Sequence, residues 1–187
     1  YNPYSYKLEK AKALLKEAGV DGELEFDMVV WNSAPYTDFA QAIQATMAKA
    51  GIKLNLEVVD GKQWLTRYRN SDLDIWLGLW GPDYPDPHSN AKAFAVNKKD
   101  APDGSEGLAE RFGWMDTGLS VRTMAAVREL DTVKRQKMYE EIQVEHTLNS
   151  PYIYMFQELR AVGARSNVKG FALGTTFADD RFWEISK

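Results

Sequence analysis

The sequence predicts an α/β fold, a mostly parallel sheet flanked by helices. Three observations carry this. Two stretches alternate apolar and polar residues with the period of two expected of a strand, and each is followed by a helix-length stretch of period 3.6. A third strand-like run, "DIWLGLW", comes next. The connections between these runs are helices rather than hairpin turns, and right-handed crossovers of that kind place successive strands parallel in one sheet.

The elements follow in order. Leu8, Ala11, Leu14, Leu15 and Ala18 recur at helical spacing with Lys and Glu between them, and Gly19 is a stop signal, so a helix is predicted from about 6 to 18. "ELEFDMVVW" sets Leu24, Phe26, Met28 and Val30 against Glu23, Glu25 and Asp27, a strand with one wet face. "APYTDFAQAIQATMAKAG" places Phe39, Ile43, Met47 and Ala50 on one helical stripe and ends at Gly51. "IKLNLEVVD" alternates again, and "GKQWLTRYRNSD" is a short helix leading into "DIWLGLW".

Beyond the third strand, residues 88 to 118 are rich in Asn, Gly, Asp and Lys without steady periodicity and predict a long excursion with little regular structure. Residues 119 to 130 predict a helix through Val121, Met124, Ala125 and Val127. Asp131 can cap a second helix running to about 148, with Val133, Met138, Ile142 and Val144 or Glu145 at its buried edge. "SPYIYMFQ" and "LRAVGARS" predict short strands, and "VKGFALGTTFADDRFWEI" is an aromatic tail.

Composition narrows the function classes. The 187 residues are 44% hydrophobic and 27% charged, enough for a real core in one large domain or two small ones. A net charge of −4 supplies no basic field for nucleic acid, and it disfavours a membrane surface as well. The absence of cysteine excludes disulfides and thiolate metal sites but leaves the compartment open. His88 and His146 stand alone without ligand spacing, so no metal and no cofactor is expected. No run of about 18 apolar residues spans a membrane and no leader opens the chain. The start at "YNPYSYK", without Met, reads as a processed protein or an excised piece.

One stretch asks for more than packing. "WGPDYPDP", Trp80 to Pro87, sets two aromatics, two carboxylates and three prolines straight after the third strand, and ligands of open α/β sheets sit just beyond the C-terminal ends of strands. Asp83 and Asp86 lie too close in a Pro-locked turn to face each other across a scissile bond, and no Gly-x-Ser-x-Gly or phosphate-cradling glycine loop is present. No enzymatic machinery is therefore expected, and a hydrolase is a distant third reading.

Five pieces, in order along nearly the whole chain, carry a resemblance: "YSYKLEKAKALLKEAG", "ATMAKAGIKLNLEVVD", "DLDIWLGLWGPDYPDP", "RQKMYEEIQVEHTLNSPYIYMF" and "SNVKGF". Together they resemble the C-terminal part of the family 5 extracellular solute-binding proteins, the ABC-importer receptors for peptides, opines, nickel chelates and some sugars. The resemblance implies a lobe of the type II periplasmic-binding-protein fold, with residues 1–187 forming a single lobe at the C-terminal end of a longer two-lobe protein. It implies a small-molecule or peptide solute, closure on the N-terminal lobe of the same full-length protein, and delivery to an ABC permease in the membrane. The compartment it implies is periplasmic or extracellular, with a lipid anchor as a further option. A solute-sensing module for a chemoreceptor or receptor kinase is the alternative from another class.

The resemblance also assigns residues. Asp83 matches the Asp that pairs with the solute's α-amino group, against the plainer role of accepting backbone N–H bonds in its turn. Asp86, before a proline, belongs to the scaffold. Trp80 and Trp64 match aromatics that line the cavity, and Tyr84 either touches solute or closes the turn. Trp31, Trp114 and Trp183 are core or lobe-contact positions, and Trp76 is core. Phe171 matches a tail position that faces the cleft in some relatives. Lys62, Arg67 and Arg69 lie where some relatives place a basic side chain near the solute carboxylate, although a solvated helix face is their default.

Overall fold

A computed structural model describes residues 4–104, 107–157, 159–174, 176 and 180–187. The chain divides into two compact units, one up to Leu79 and one from Trp80 onward.

The first unit carries the predicted alternation of helices and strands. Helix α1 (Leu8–Glu17) ends where Val20 N–H reaches back to the Leu15 carbonyl across Gly19, whose φ of +74° is a left-handed conformation that glycine adopts without steric cost. Strand β1 (Leu24–Trp31), helix α2 (Tyr36–Ala48), strand β2 (Ile52–Val59), helix α3 (Gly61–Arg69) and strand β3 (Ile75–Trp76) follow. The sheet order is β2-β1-β3 and both pairings are parallel, with Leu24 opposite Ile52 and Met28 opposite Ile75.

Alternation decides what each sheet face buries. Met28, Val30 and Leu54 point to the α2 side, where they join Ala40 and Leu77 in a core that Phe39, Ile43 and Met47 complete from the predicted helical stripe. On the opposite face Asp60 caps α3 by accepting the N–H groups of Lys62 (2.8 Å) and Gln63 (3.0 Å). Near the N-terminal ends of the strands, Asn55 donates to Glu25 and Asp27, and Lys53 donates to Glu25. Lys53 holds the Glu25 carboxyl below its ordinary pKa through that bond.

The third strand is much shorter than "DIWLGLW" predicts. Only Ile75 and Trp76 pair with β1; just beyond them Gly78 lies directly against the Trp76 ring, where a Cβ would come within 1.9 Å of it. Trp76, predicted as core, is half-buried between the rings of Trp64 (4.6 Å) and Tyr68 (4.1 Å).

The second unit is helical: α4 (Pro87–Ala95), a 3-10 turn at Leu108–Phe112, α5 (Thr117–Ala126) and α6 (Thr132–Asn149). Its core joins Ala95, Leu119, Ala126, Tyr139 and Ile142, with Trp114 and Met138 packed against them. The predicted excursion over 88 to 118 is thus corrected. It contains α4, the 3-10 turn and the start of α5; Ser105 and Glu106 lie outside the described residues. Asp131 does cap α6, accepting Lys134 N–H at 2.8 Å. The buried edge of α6 is Tyr139, Ile142 and His146, whereas Val133 is 79% exposed and Val144 also faces out. Residue 133 stands on the first turn of α6, and 144 lies on the side opposite 142 and 146.

"SPYIYMFQ" and "LRAVGARS" form no strand among the described residues. A strand needs a ladder partner, and here Tyr152 and Tyr154 instead pack their rings on His146 and Phe94. In the aromatic tail, where Thr175 and residues 177–179 lie outside the described residues, single antiparallel bridges join Lys169 to Ser186 and Ala172 to Arg181.

Candidate functional site

The loop from Trp80 to Asp86 contains Pro82 and Pro85, whose rings fix their own φ and restrict the residues before them. What freedom remains is taken up by hydrogen bonds. Asp83 N–H donates to Ser89 Oγ at 2.8 Å, Asp86 N–H donates to the Tyr84 carbonyl at 2.8 Å, and Trp80 Nε1–H donates to Asn90 Oδ1 at 3.1 Å. The Trp80 ring also stands edge-on to Phe94, 5.7 Å between centroids.

Asp86 is the loop's structural anchor, as its Asp-Pro pair predicts. It caps α4 by accepting His88 N–H at 2.8 Å, with Pro87 at the first helical position, and receives Arg135 Nη2 at 2.7 and 3.0 Å. The Arg135 guanidinium holds the Asp86 carboxyl below its ordinary pKa, and the Asp86 bond raises that of Arg135 in turn. Arg135 also lies over the Tyr139 ring at 5.0 Å, and Tyr139 OH is 3.1 Å from His88 Nδ1. Burial lowers the His88 pKa and raises that of Tyr139, so both are neutral at pH 7.

Asp83 is different. Its backbone is tied down, yet its side chain is exposed and engages no partner among the described residues. Beside it in sequence, Trp80 and Tyr84 are each 44% exposed. The loop therefore presents one unpaired carboxylate and two aromatic rings on a fixed backbone, a set of groups suited to a cationic amine bearing apolar substituents.

Trp64 lies in the first unit, in a run of stacked rings: Trp31 at 5.6 Å on one side and Trp76 at 4.6 Å on the other. Its Nε1–H donates to the Leu77 carbonyl at 3.1 Å, and the side chain is half-buried. Of the three basic candidates, Arg67 pairs with Glu57 and Asp72, while Lys62 and Arg69 are exposed on α3, the solvated face expected by default. Phe171 packs on Phe182 at 5.6 Å. His146 is buried with Nε2 3.1 Å from the Phe94 carbonyl and Nδ1 3.0 Å from Tyr154 OH, a packed and bonded histidine. Among the described residues no group of three or more His, Asp or Glu is placed to hold a metal ion.

Sequence reasoning missed Ser89, Asn90 and Arg135, which hold the loop. The available signal was Asp86-Pro87, an N-cap followed by proline at the first helical position, which opens a helix where an excursion is predicted.

A family model described as bacterial extracellular solute-binding proteins, family 5 Middle, matches residues 1–102. The chain is 27% identical over 181 residues to di/tripeptide-binding protein 2 of Pseudomonas aeruginosa (strain UCBPP-PA14), covering 95% of this chain and 33% of that protein. It is 27% identical over 175 residues to the dipeptide-binding protein of Escherichia coli (strain K12), covering 91% and 32%. The chain thus spans about a third of the length of the curated relatives it matches. Among solved structures, the periplasmic binding protein DppA from Helicobacter pylori in complex with the peptide STSA aligns with a TM-score of 0.67 at 25% identity, over 78% of this chain and 28% of that one. A dipeptide-binding protein from Pseudoalteromonas sp. SM9913 aligns at 0.71 over 90% of this chain and 33% of that one, and its 19% identity bears on the fold alone. The fold is that of the type II periplasmic binding proteins. No helix among the described residues is long and apolar enough to cross a membrane.

Proposed function

The chain belongs to the bacterial extracellular solute-binding proteins, family 5, and from that membership we propose that it is the C-terminal lobe, residues 1–187, of an ABC-importer receptor for peptides or peptide-like solutes such as opines. The solute is caught between this lobe and an N-terminal lobe of the same full-length protein and handed to a membrane permease. The protein works in the periplasm or at the cell exterior, where a lipid anchor is compatible with the role, and it binds its solute without chemical turnover. Asp83 takes the solute's amino group, and Trp80 and Tyr84 beside it in the same loop offer apolar ring faces to the solute's side chains.

One observation carries this reading: Asp83 has a pinned backbone and an unpaired carboxylate in a loop whose Asp86 carboxylate and Trp80 N–H are bonded within their own unit. A carboxylate serving only as a turn acceptor would hold backbone N–H groups, as Asp86 does. A free carboxylate enclosed with an ammonium group makes a charge-assisted bond, worth about 1.5–3 kcal/mol. That corresponds to roughly a 10- to 150-fold change in affinity.

The test is calorimetry on the full-length protein with free-amine di- and tripeptides. Asp83→Asn, which keeps the side chain's size and removes its charge, is expected to weaken binding by at least tenfold. Unchanged affinity for those peptides would refute the anchor.

A further inference from the structure

Three consecutive residues at the start of α4 each hold a different point of the preceding loop. His88 N–H binds Asp86, Ser89 Oγ accepts from Asp83 N–H, and Asn90 Oδ1 accepts from Trp80 Nε1–H. The first is ordinary helix capping. The other two span six and ten residues and belong to no helical ladder.

We propose that Ser89 and Asn90 are positioning residues of the solute site: Ser89 sets where the Asp83 carboxylate stands, and Asn90 sets the plane of the Trp80 ring. This rests on the reading of Asp83 as solute anchor. Ser89 is 5% exposed, so water competes little for its hydroxyl and the bond to Asp83 N–H persists. That bond fixes Asp83 at its nitrogen while leaving every carboxylate lone pair unspent. Pro85 restricts Tyr84 before it, and the Asp86-to-Tyr84 backbone bond holds the turn that follows Asp83. An anchor held this way needs no ordering when solute arrives, which is how preorganisation raises affinity. Trp80 is likewise held at two points, its N–H on Asn90 and its edge on Phe94, with the rest of the ring exposed.

Neither residue needs to touch the solute, and this sets the signature apart from a general structural role. Ser89→Ala should loosen only the anchor, so it should weaken solutes that use the anchor and spare those that do not. The probes are a library of di- to pentapeptides with free amino termini and the same library N-acetylated, captured on the full-length protein and weighed by mass spectrometry. Ser89→Ala is expected to lower capture of the free-amine library about 3- to 10-fold, the range of one net hydrogen bond, and to leave residual capture of the acetylated library unchanged. Ser89→Thr, which keeps the hydroxyl, should restore wild-type capture, and Ser89→Ala should add nothing in an Asp83→Asn background.

Asn90→Ala, at an exposed position that does not threaten folding, tests the second arm: faster release of peptides with aromatic or large apolar side chains in both libraries. Wild-type behaviour of Ser89→Ala, or its equal loss on both libraries, would overturn the role of Ser89, and wild-type release by Asn90→Ala would overturn that of Asn90. If Asp83→Asn captures both libraries like the wild type, or the wild type captures neither, the anchor reading itself fails and this inference with it. Loss on Asp83→Asn without loss on Ser89→Ala overturns only the positioning role.

Discussion

Replacing Asp86 with alanine removes two supports at once, and the structure sets the size of each. The carboxylate caps α4 through His88 N–H at 2.8 Å, and loss of an N-cap costs about 1 kcal/mol. It also receives Arg135 at 2.7 and 3.0 Å, a pair whose side chains are 35% and 25% exposed. Solvent screening at that exposure discounts a charge-assisted pair to about 1–2 kcal/mol. Asp86→Ala should therefore cost about 2–3 kcal/mol, and Asp86→Asn, which keeps a good cap, about 1–2. In a unit of this size each kcal/mol moves the midpoint by roughly 4 °C, so alanine should lower the second unit's transition by roughly 8–12 °C. Thermal unfolding followed by near-ultraviolet circular dichroism reads it. The pH dependence adds a sign. Because Arg135 depresses the Asp86 pKa below its ordinary 3.8, the carboxylate's contribution is complete above that value and is lost as pH falls through the lower folded value. The gap between wild type and Asp86→Asn should hold from pH 7 to about 4 and close below. A gap of zero at pH 7, or one that persists unchanged to pH 2, would refute the reasoning.

Gly78→Ala should unfold the end of β3 or cost upward of about 2 kcal/mol, since its Cβ would lie 1.9 Å from a Trp76 ring clamped between Trp64 and Tyr68; a shift in tryptophan emission with a lower urea midpoint would show it. Burial depresses the pKa of both His88 and His146, so the stability they allow is present above their ordinary value of 6.5 and declines as pH falls below it. The urea midpoint should drop between pH 7.5 and 5.5, and His146→Gln should flatten that drop; a midpoint independent of pH over this range would contradict the buried, neutral assignment.

Much of the first unit was legible because its elements answer to local pattern. Phe39, Ile43 and Met47 recur at helical spacing and Phe26, Met28 and Val30 alternate, so the face they bury on the α2 side follows from period, whereas Val29, on the face expected to be wet, is also fully buried, which period alone does not show. The same reasoning failed over 88 to 118. There α4 packs through Ala91 and Ala95, small residues that leave little amphipathic signal, and the helix is secured by a cap and by Arg135 from a distant helix. The α6 stripe failed at Val133 and Val144 because apolar character marks what can be buried, and only neighbouring elements decide what is.

The candidate loop divides the same way. Its prolines, its acidic pair and its place after the third strand stand in the sequence, and they suffice to mark it and to separate Asp86, before proline, as scaffold. What the sequence determined was which residue types meet in one turn. Which carboxylate is paired and which is free depended on groups 49 and 6 positions away, Arg135 on Asp86 and Ser89 on Asp83. Chain connectivity does not encode those distances. Packing of α6 against α4 brings the guanidinium to one aspartate and leaves the other open, because hydrogen bonding and charge pairing act through space over a few ångströms.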